Sequence, residues 1–142
     1  MTIGEIMNAD VVSVAPDESV RSAARLMSRH NIGALPVCAE GGRLRGIVTD
    51  RDIVLRCVAG DADPGELPVS EIMTRAIISA GPDEDVAAAA GRMADGQVRR
   101  IPVVEHGRVV GMVALGDLAR RRTCSMEAAR ALCDISVNVR HK

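Results

Sequence analysis

Metal ligation or nucleophilic chemistry in this 142-residue chain would fall first to four cysteines, Cys38, Cys57, Cys124 and Cys133, and three histidines, His30, His106 and His141. Their spacing suits neither task. There is no C-x-x-C pair and no zinc-site pattern, and G-x-S-x-G, G-x-x-x-x-G-K and H-E-x-x-H are all missing. The expectation is therefore no catalytic set, no metal and no enzyme. The cysteines read as small buried hydrophobes or free thiols, with Cys38, beside a turn, the candidate for oxidant sensing. The pattern that could do chemistry lies elsewhere. Asp52 and Asp117 each begin a helix, where an acid is favoured as a cap and where free backbone N–H groups attract phosphate. Thr49 stands three residues before Asp52, whereas Ala114 holds that place before Asp117.

Composition narrows the function classes. The chain contains no Phe, Trp or Tyr, so its core must be aliphatic and it cannot stack bases on aromatic rings. Charged residues make up 26% with a net charge of −1, which gives little support to nucleic acid as a partner, only the basic cluster Arg120–Arg122 speaking for it. That cluster reads as a solvated helix end. Charges interrupt every apolar run well before the roughly 18 residues of a membrane span, and Met1–Asp10 lacks the character of a signal peptide. The expected location is the cytoplasm.

The elements that must position Asp52 and Asp117 come from an internal repeat. A shift of 66 places Glu5-Ile6-Met7 on Glu71-Ile72-Met73, Ser13 on Ser79, and Pro16-Asp17-Glu18 on Pro82-Asp83-Glu84. It also places Val20, Ala23, Ala24 and Met27 on Val86, Ala89, Ala90 and Met93, and Pro36-Val37 on Pro102-Val103. After a one-residue deletion the shift is 65, and Gly42, Gly46, Val48 and Asp52 meet Gly107, Gly111, Val113 and Asp117. Each copy predicts a short strand (Val11–Val14; Ile77–Ile78), a helix opened by Pro-Asp-Glu with one apolar stripe, a hairpin and a second helix. The order is β-α-β-β-α. Copy one spans 1–58 and copy two 69–122, with a turn-rich linker at 59–68 and a tail at 123–142. In the tail Met126, Ala129, Ala131, Leu132 and Ile135 predict a short amphipathic helix. Neither copy of about 60 residues would be comfortable alone.

This pattern resembles the cystathionine-beta-synthase (CBS) domain, here as a tandem pair or Bateman module covering about Thr2 to Arg121. Ile6-Met7-Asn8-Ala9, Asn31-Ile32-Gly33-Ala34-Leu35-Pro36, Thr49–Val54 and Gln97–Val103 look like actinobacterial stand-alone CBS pairs of the hypoxic response type. The resemblance implies an α/β (α+β) fold of two β-α-β-β-α repeats packed sheet to sheet about a pseudo-twofold axis, association into homodimers, and two clefts for an adenosine-type ligand. AMP, ADP, ATP, NAD and S-adenosylmethionine are the candidates, none of them obligatory. It implies a principal cleft in which Thr49 meets phosphate and Asp52 the ribose hydroxyls, completed by Ile78, Ser79, Val98, Arg100 and Pro102, with Arg99 as another candidate for the phosphate. A weaker cleft would join Asp117 to Ser13, Ile32, Leu35 and Pro36, lacking a hydroxyl at Ala114. The function implied is a non-catalytic sensor that passes a change of shape to an effector protein. The alternative is a dimeric stress-response or redox scaffold with empty clefts, acting through a protein partner.

Overall fold

The Ser19 hydroxyl opens the first long helix of the computed structural model, which describes residues 1–119 together with Ala131 and Ile135. It accepts the Ser22 amide at 3.1 Å, and helix α2 runs Val20–His30, following the short α1 at Ile3–Ile6. Pro16-Asp17-Glu18 therefore does not open the helix but forms the turn before it, closed by Glu18 N–H to Ala15 O at 3.1 Å. The apolar stripe buries Val20, Ala23 and Met27. Asn31 then takes the left-handed conformation (φ 53°) and lets the Ile32 amide reach back to Met27 O at 3.0 Å, a closure that satisfies a carbonyl the helix end would orphan.

The strands β1 (Ala34–Ala39) and β2 (Arg43–Thr49) pair antiparallel, with Leu35 opposite Val48 and Ala34 opposite Thr49. Gly41 and Gly42 sit at φ 77° and 80° in the connection, where a side chain would be strained. After Thr49 come α3 (Asp50–Asp52) and a wider π-helical stretch, Ile53–Val58. The second copy repeats the order with α4 (Val86–Gly96), β3 (Arg100–Glu105), β4 (Arg108–Ala114) and α5 (Leu115–Ala119). Gln97 and Val98 close α4 as Asn31 and Ile32 close α2. The fold is a mixture of helices and antiparallel strands, as the sequence predicts.

The leading strand of each copy is reduced to a single bridge. Val14 bridges Val37, and Ala80 bridges Val103, both in the parallel sense. Proline explains the shortness. Val14 N–H bonds Pro36 O and Cys38 N–H bonds Val14 O, and the next rung toward Val12 would need an N–H that Pro36 does not have. Pro102 imposes the same stop beside Ile78.

The described chain divides into two compact units, and these cut across the sequence repeat. Unit 1 holds Met1–Val11, Ile78–His106 and the described residues from Val110 onward, whereas unit 2 holds Val12–Ile77 with Gly107–Val109. The Ile-Met segment that begins one copy thus packs with the body of the other. In unit 2, Val69 N–H bonds Glu18 O at 2.8 Å, and Thr74 and Ile47 exchange both backbone hydrogen bonds. In unit 1, Ile3 N–H bonds Glu84 O at 2.9 Å, and Asn8 and Met112 make the same exchange. The linker at 59–68 belongs to unit 2, tied to α2 by Arg21 N–H to Pro64 O and Val20 N–H to Leu67 O. Unit 2 encloses a core around Val14, Met27, Leu35, Val48 and Ile72. Unit 1 encloses one around Ile3, Met93, Ile101, Val113 and Leu118, to which Ala131 and Ile135 add buried, helical side chains. The other tail-helix positions, Met126, Ala129 and Leu132, lie outside the described residues.

The repeated glycine is what admits the repeated methionine. A Cβ on Gly46 would stand 2.7 Å from Met73 Sδ and 2.9 Å from Thr74 O, and one on Gly111 would stand 2.5 Å from Met7 Sδ. The thioether could swing aside but the backbone oxygen could not. Gly46→Ala should therefore destabilise the protein by about 1–3 kcal/mol, the usual cost of overpacking, read as a lower urea midpoint at unchanged slope. Removing the thioether with Met73→Ala should leave most of that penalty in place in the double variant.

Candidate functional site

The end of β2 places Thr49, and the helix it starts places Asp52. The Thr49 hydroxyl accepts the Asp52 amide at 3.1 Å while Asp52 Oδ2 accepts the Thr49 amide at 2.9 Å, a reciprocal capping box. The cap thus uses the same side chains that the reading from sequence assigns to a ligand. Asp52 is the buried charged residue among those described, at 9% exposure, and burial of a carboxylate requires such partners. Its second oxygen, Oδ1, lies 3.8 Å from Arg56 Nε, one helical turn on. Arg56 in turn donates from Nη1 to Ile72 O at 3.1 Å. The hydroxyl of Thr49 keeps its proton for a donor role, and Oδ1 keeps lone pairs that no backbone group claims.

The same unit holds four further sequence-predicted residues. Ala34 opposes Thr49 in the register, and Asp50 N–H bonds Gly33 O at 2.9 Å, so the strand entry after Ile32 is fixed against the start of α3. Leu35 and Pro36 are buried in β1, Ile32 is half-buried, and Ser13 is exposed. A Cβ at Gly33 would come within 2.9 Å of Asp50 Oδ2, so a larger residue there would turn the Asp50 carboxylate aside. The Ser13 hydroxyl hydrogen-bonds the Cys38 thiol, but burial dominates and pushes that thiol's pKa up. A raised pKa means less thiolate, which weighs against Cys38 as an oxidant sensor.

Unit 1 holds the companion set. Asp117 Oδ2 accepts the Ala114 amide at 2.8 Å, but Ala114 has no oxygen to return the bond, so the box is half made. Leu115 N–H bonds Arg99 O at 2.8 Å, the counterpart of the Asp50 to Gly33 bond. The unit also holds Val98 at the close of α4, exposed Arg100 at the start of β3, buried Pro102, and half-buried Ile78 and Ser79. Each unit therefore holds one acid together with one pre-proline strand. Thr49 and Asp52 share theirs with Ser13, Ile32, Leu35 and Pro36, and Asp117 shares its own with Ile78, Ser79, Val98, Arg100 and Pro102. The reading from sequence combines the acid of one copy with the strand of the other. It also passes over Arg56, although a base four residues after an acid on a helix is a legible signal.

Similarity to known proteins now fixes the family. The CBS domain model matches residues 3–58 and 69–123, and the chain belongs to the CBS domain family as a tandem pair. It is 42% identical over 135 residues to the CBS domain-containing protein YhcV of Bacillus subtilis, covering 95% of each chain. It is 36% identical over 134 residues to hypoxic response protein 1 of Mycobacterium tuberculosis, covering 93% of this chain and 94% of that one. Among solved structures it is similar to Hypoxic Response Protein I with two coordinated zinc ions, at TM-score 0.80 and 37% identity over 85% of this chain and 98% of that one. It is also similar to the CBS domain pair of MJ0100 in complex with 5'-methylthioadenosine and S-adenosyl-L-methionine, at TM-score 0.76 and 33% identity over 84% and 94% of the two chains. Among the described residues of this chain no three His, Cys, Asp or Glu side chains form a metal-sized group, and Cys38 and Cys57 are free thiols. Cys124, Cys133 and His141 lie outside those residues. No helix among the described residues is long and apolar enough to cross a membrane.

The two turns give a direct test of the capping chemistry without any ligand. Thr49→Ala should cost about 0.5–2 kcal/mol, the worth of an N-cap oxygen. Ala114→Thr should move stability the other way by completing the second box, seen as a higher thermal midpoint in far-UV circular dichroism.

Proposed function

We propose that this chain is a non-catalytic regulatory module that binds an adenine nucleotide or related adenosyl ligand at the Thr49–Asp52 turn. The observation that carries the reading is the complete box there: a hydroxyl with a free proton and a carboxylate oxygen with free lone pairs, 3 residues apart. A vicinal ribose diol donates two hydrogen bonds to such a carboxylate, and phosphate takes the hydroxyl and the helix N–H groups. Half-buried Ile32 of the same unit supplies aliphatic surface for the base. The adenosyl ligands of the MJ0100 pair support the ligand class. The Asp117 turn, where Ala114 stands in the place of Thr49, makes a weaker site, since a hydroxyl bonded to a charged ligand group is worth about 1.5–3 kcal/mol.

An adenine nucleotide at 100 times its dissociation constant should stabilise the fold by about 2.7 kcal/mol, a rise in Tm of roughly 5–10 °C. The chain has no Trp or Tyr, so far-UV circular dichroism follows the melt. Measured against each variant's own ligand-free melt, Asp52→Ala should remove most of the rise for AMP, ATP or NAD, and Asp117→Ala should leave most of it. Ile32→Asp should weaken the response more than Val98→Asp; the reverse order would move the base to the strand of the second copy. No shift with any nucleotide would replace the sensor by the scaffold reading.

The module also acts as a homodimer in this proposal. Val54, Leu55 and Val58 are 50–62% exposed on the π-helical stretch that follows Asp52, an apolar ridge that a second copy would cover. Sedimentation at tens of micromolar should give the dimer mass, and Leu55→Asp should shift it toward the monomer.

A further inference from the structure

We propose that Arg56 is a positioning residue that couples a ligand held at Asp52 to the seating of the Val69–Thr74 segment on β2. The proposal rests on the ligand reading above and adds a route by which occupancy leaves the site. Asp52 is held at both oxygens, Oδ2 by the Thr49 amide and Oδ1 by the ion pair with Arg56. Arg56 spends its other donor edge on Ile72 O, so one planar guanidinium spans the acid and a backbone carbonyl 16 residues further along the chain.

That carbonyl belongs to a segment with a defined seat. Ile72 and Met73 are buried, Met73 lies on Gly46, and the next residue, Thr74, exchanges backbone hydrogen bonds with Ile47 at 2.8 and 3.0 Å. Ile47 stands two residues before Thr49. The segment thus grips β2 just ahead of the turn that carries the acid, and Arg56 closes the circuit on the other side. Because a hydrogen bond and an ion pair share one guanidinium, orienting Asp52 and seating the segment favour each other. Reciprocity then requires that a ligand which tightens Asp52 also tightens the segment.

The readout is hydrogen exchange at the Ile47 and Thr74 amides, which report the seat directly. In the parent protein saturating AMP should slow both amides by about twofold to fivefold, the most that a half-exposed ion pair can pass on. Arg56→Gln should still bind AMP, more weakly, but lose that increment. Arg56→Lys keeps a charge beside Asp52 without the second planar edge, so it should restore affinity and leave the increment absent. A residue that only props up the fold would lower protection in every state and preserve the increment, which would overturn the proposal. A second arm needs no ligand. Asp52→Asn should speed exchange at Ile47 and Thr74 in the parent and have little effect in the Arg56→Gln background. Equal effects in both backgrounds would show that Asp52 acts through its cap alone and would sink the coupling. If AMP binds nothing, the ligand reading falls while this second arm still decides the role of Arg56.

Discussion

The contact between a strand glycine and a methionine from a distant segment is the constraint on which the rest of each unit depends. Gly46 receives Met73 and Gly111 receives Met7, in both cases at distances that exclude a Cβ. The methionine brings its neighbours with it: Thr74 onto Ile47, and Asn8 onto Met112, each pair exchanging two backbone hydrogen bonds. Those bonds hold β2 and β4 just before the residues that carry the site. An alanine at Gly46 would press on the Thr74 carbonyl that holds the segment to the strand, whereas one at Gly111 would displace the Met7 side chain and crowd Asn8 O, at 3.1 Å, less severely.

This contact also explains why copy and unit differ. A repeat of about 60 residues buries too small a fraction of its surface to be stable by its own packing. Accepting the Ile-Met segment of the other copy adds Ile72 and Met73 to one core and Ile3 and Ile6 to the other. The exchange is symmetric down to single bonds. Ile3 to Glu84 matches Val69 to Glu18, and Gly4 to Pro82 matches Ser70 to Pro16, at the same shift of 66 that relates the sequences.

Much of this was legible in the residues, and the failures have physical reasons. The helix stripe of Val20, Ala23 and Met27, the Gly41-Gly42 turn and the two acids are local signals, and local signals survive in any tertiary context. The leading strands did not survive, because Pro36 and Pro102 withhold the N–H that a longer parallel ladder needs. The Pro-Asp-Glu start moved to Ser19 because a hydroxyl one residue before the helix reaches the amide of Ser22. The destination of Met7 and Met73 could not be read at all. A repeat reveals that two segments are equivalent, yet it does not say which body each will join. Arg56 was legible as an i, i+4 partner of Asp52, but its second bond, to Ile72, depends on that same long-range placement.

The balance of energies at Asp52 favours a site that is both held and available. A bidentate arginine at hydrogen-bonding distance would saturate the carboxylate and leave nothing for a ligand. Here the Arg56 pair is long, 3.8 Å, and its guanidinium side is 54% exposed, so it contributes at the weak end of about 0–1 kcal/mol. A ribose hydroxyl donating to the same oxygen gains about 1.5–3 kcal/mol, more than the pair could lose. The ligand therefore need not evict Arg56 but can add to it, with Oδ2 still fixed by the Thr49 amide. At Asp117 the arithmetic differs. The carboxylate is tied to the Ala114 amide in the same way, but no hydroxyl returns the bond, so the turn is less firmly set and the phosphate side has one donor fewer. Under the proposed reading, this single Thr to Ala difference between the copies makes the Asp52 turn the stronger site and the Asp117 turn the weaker.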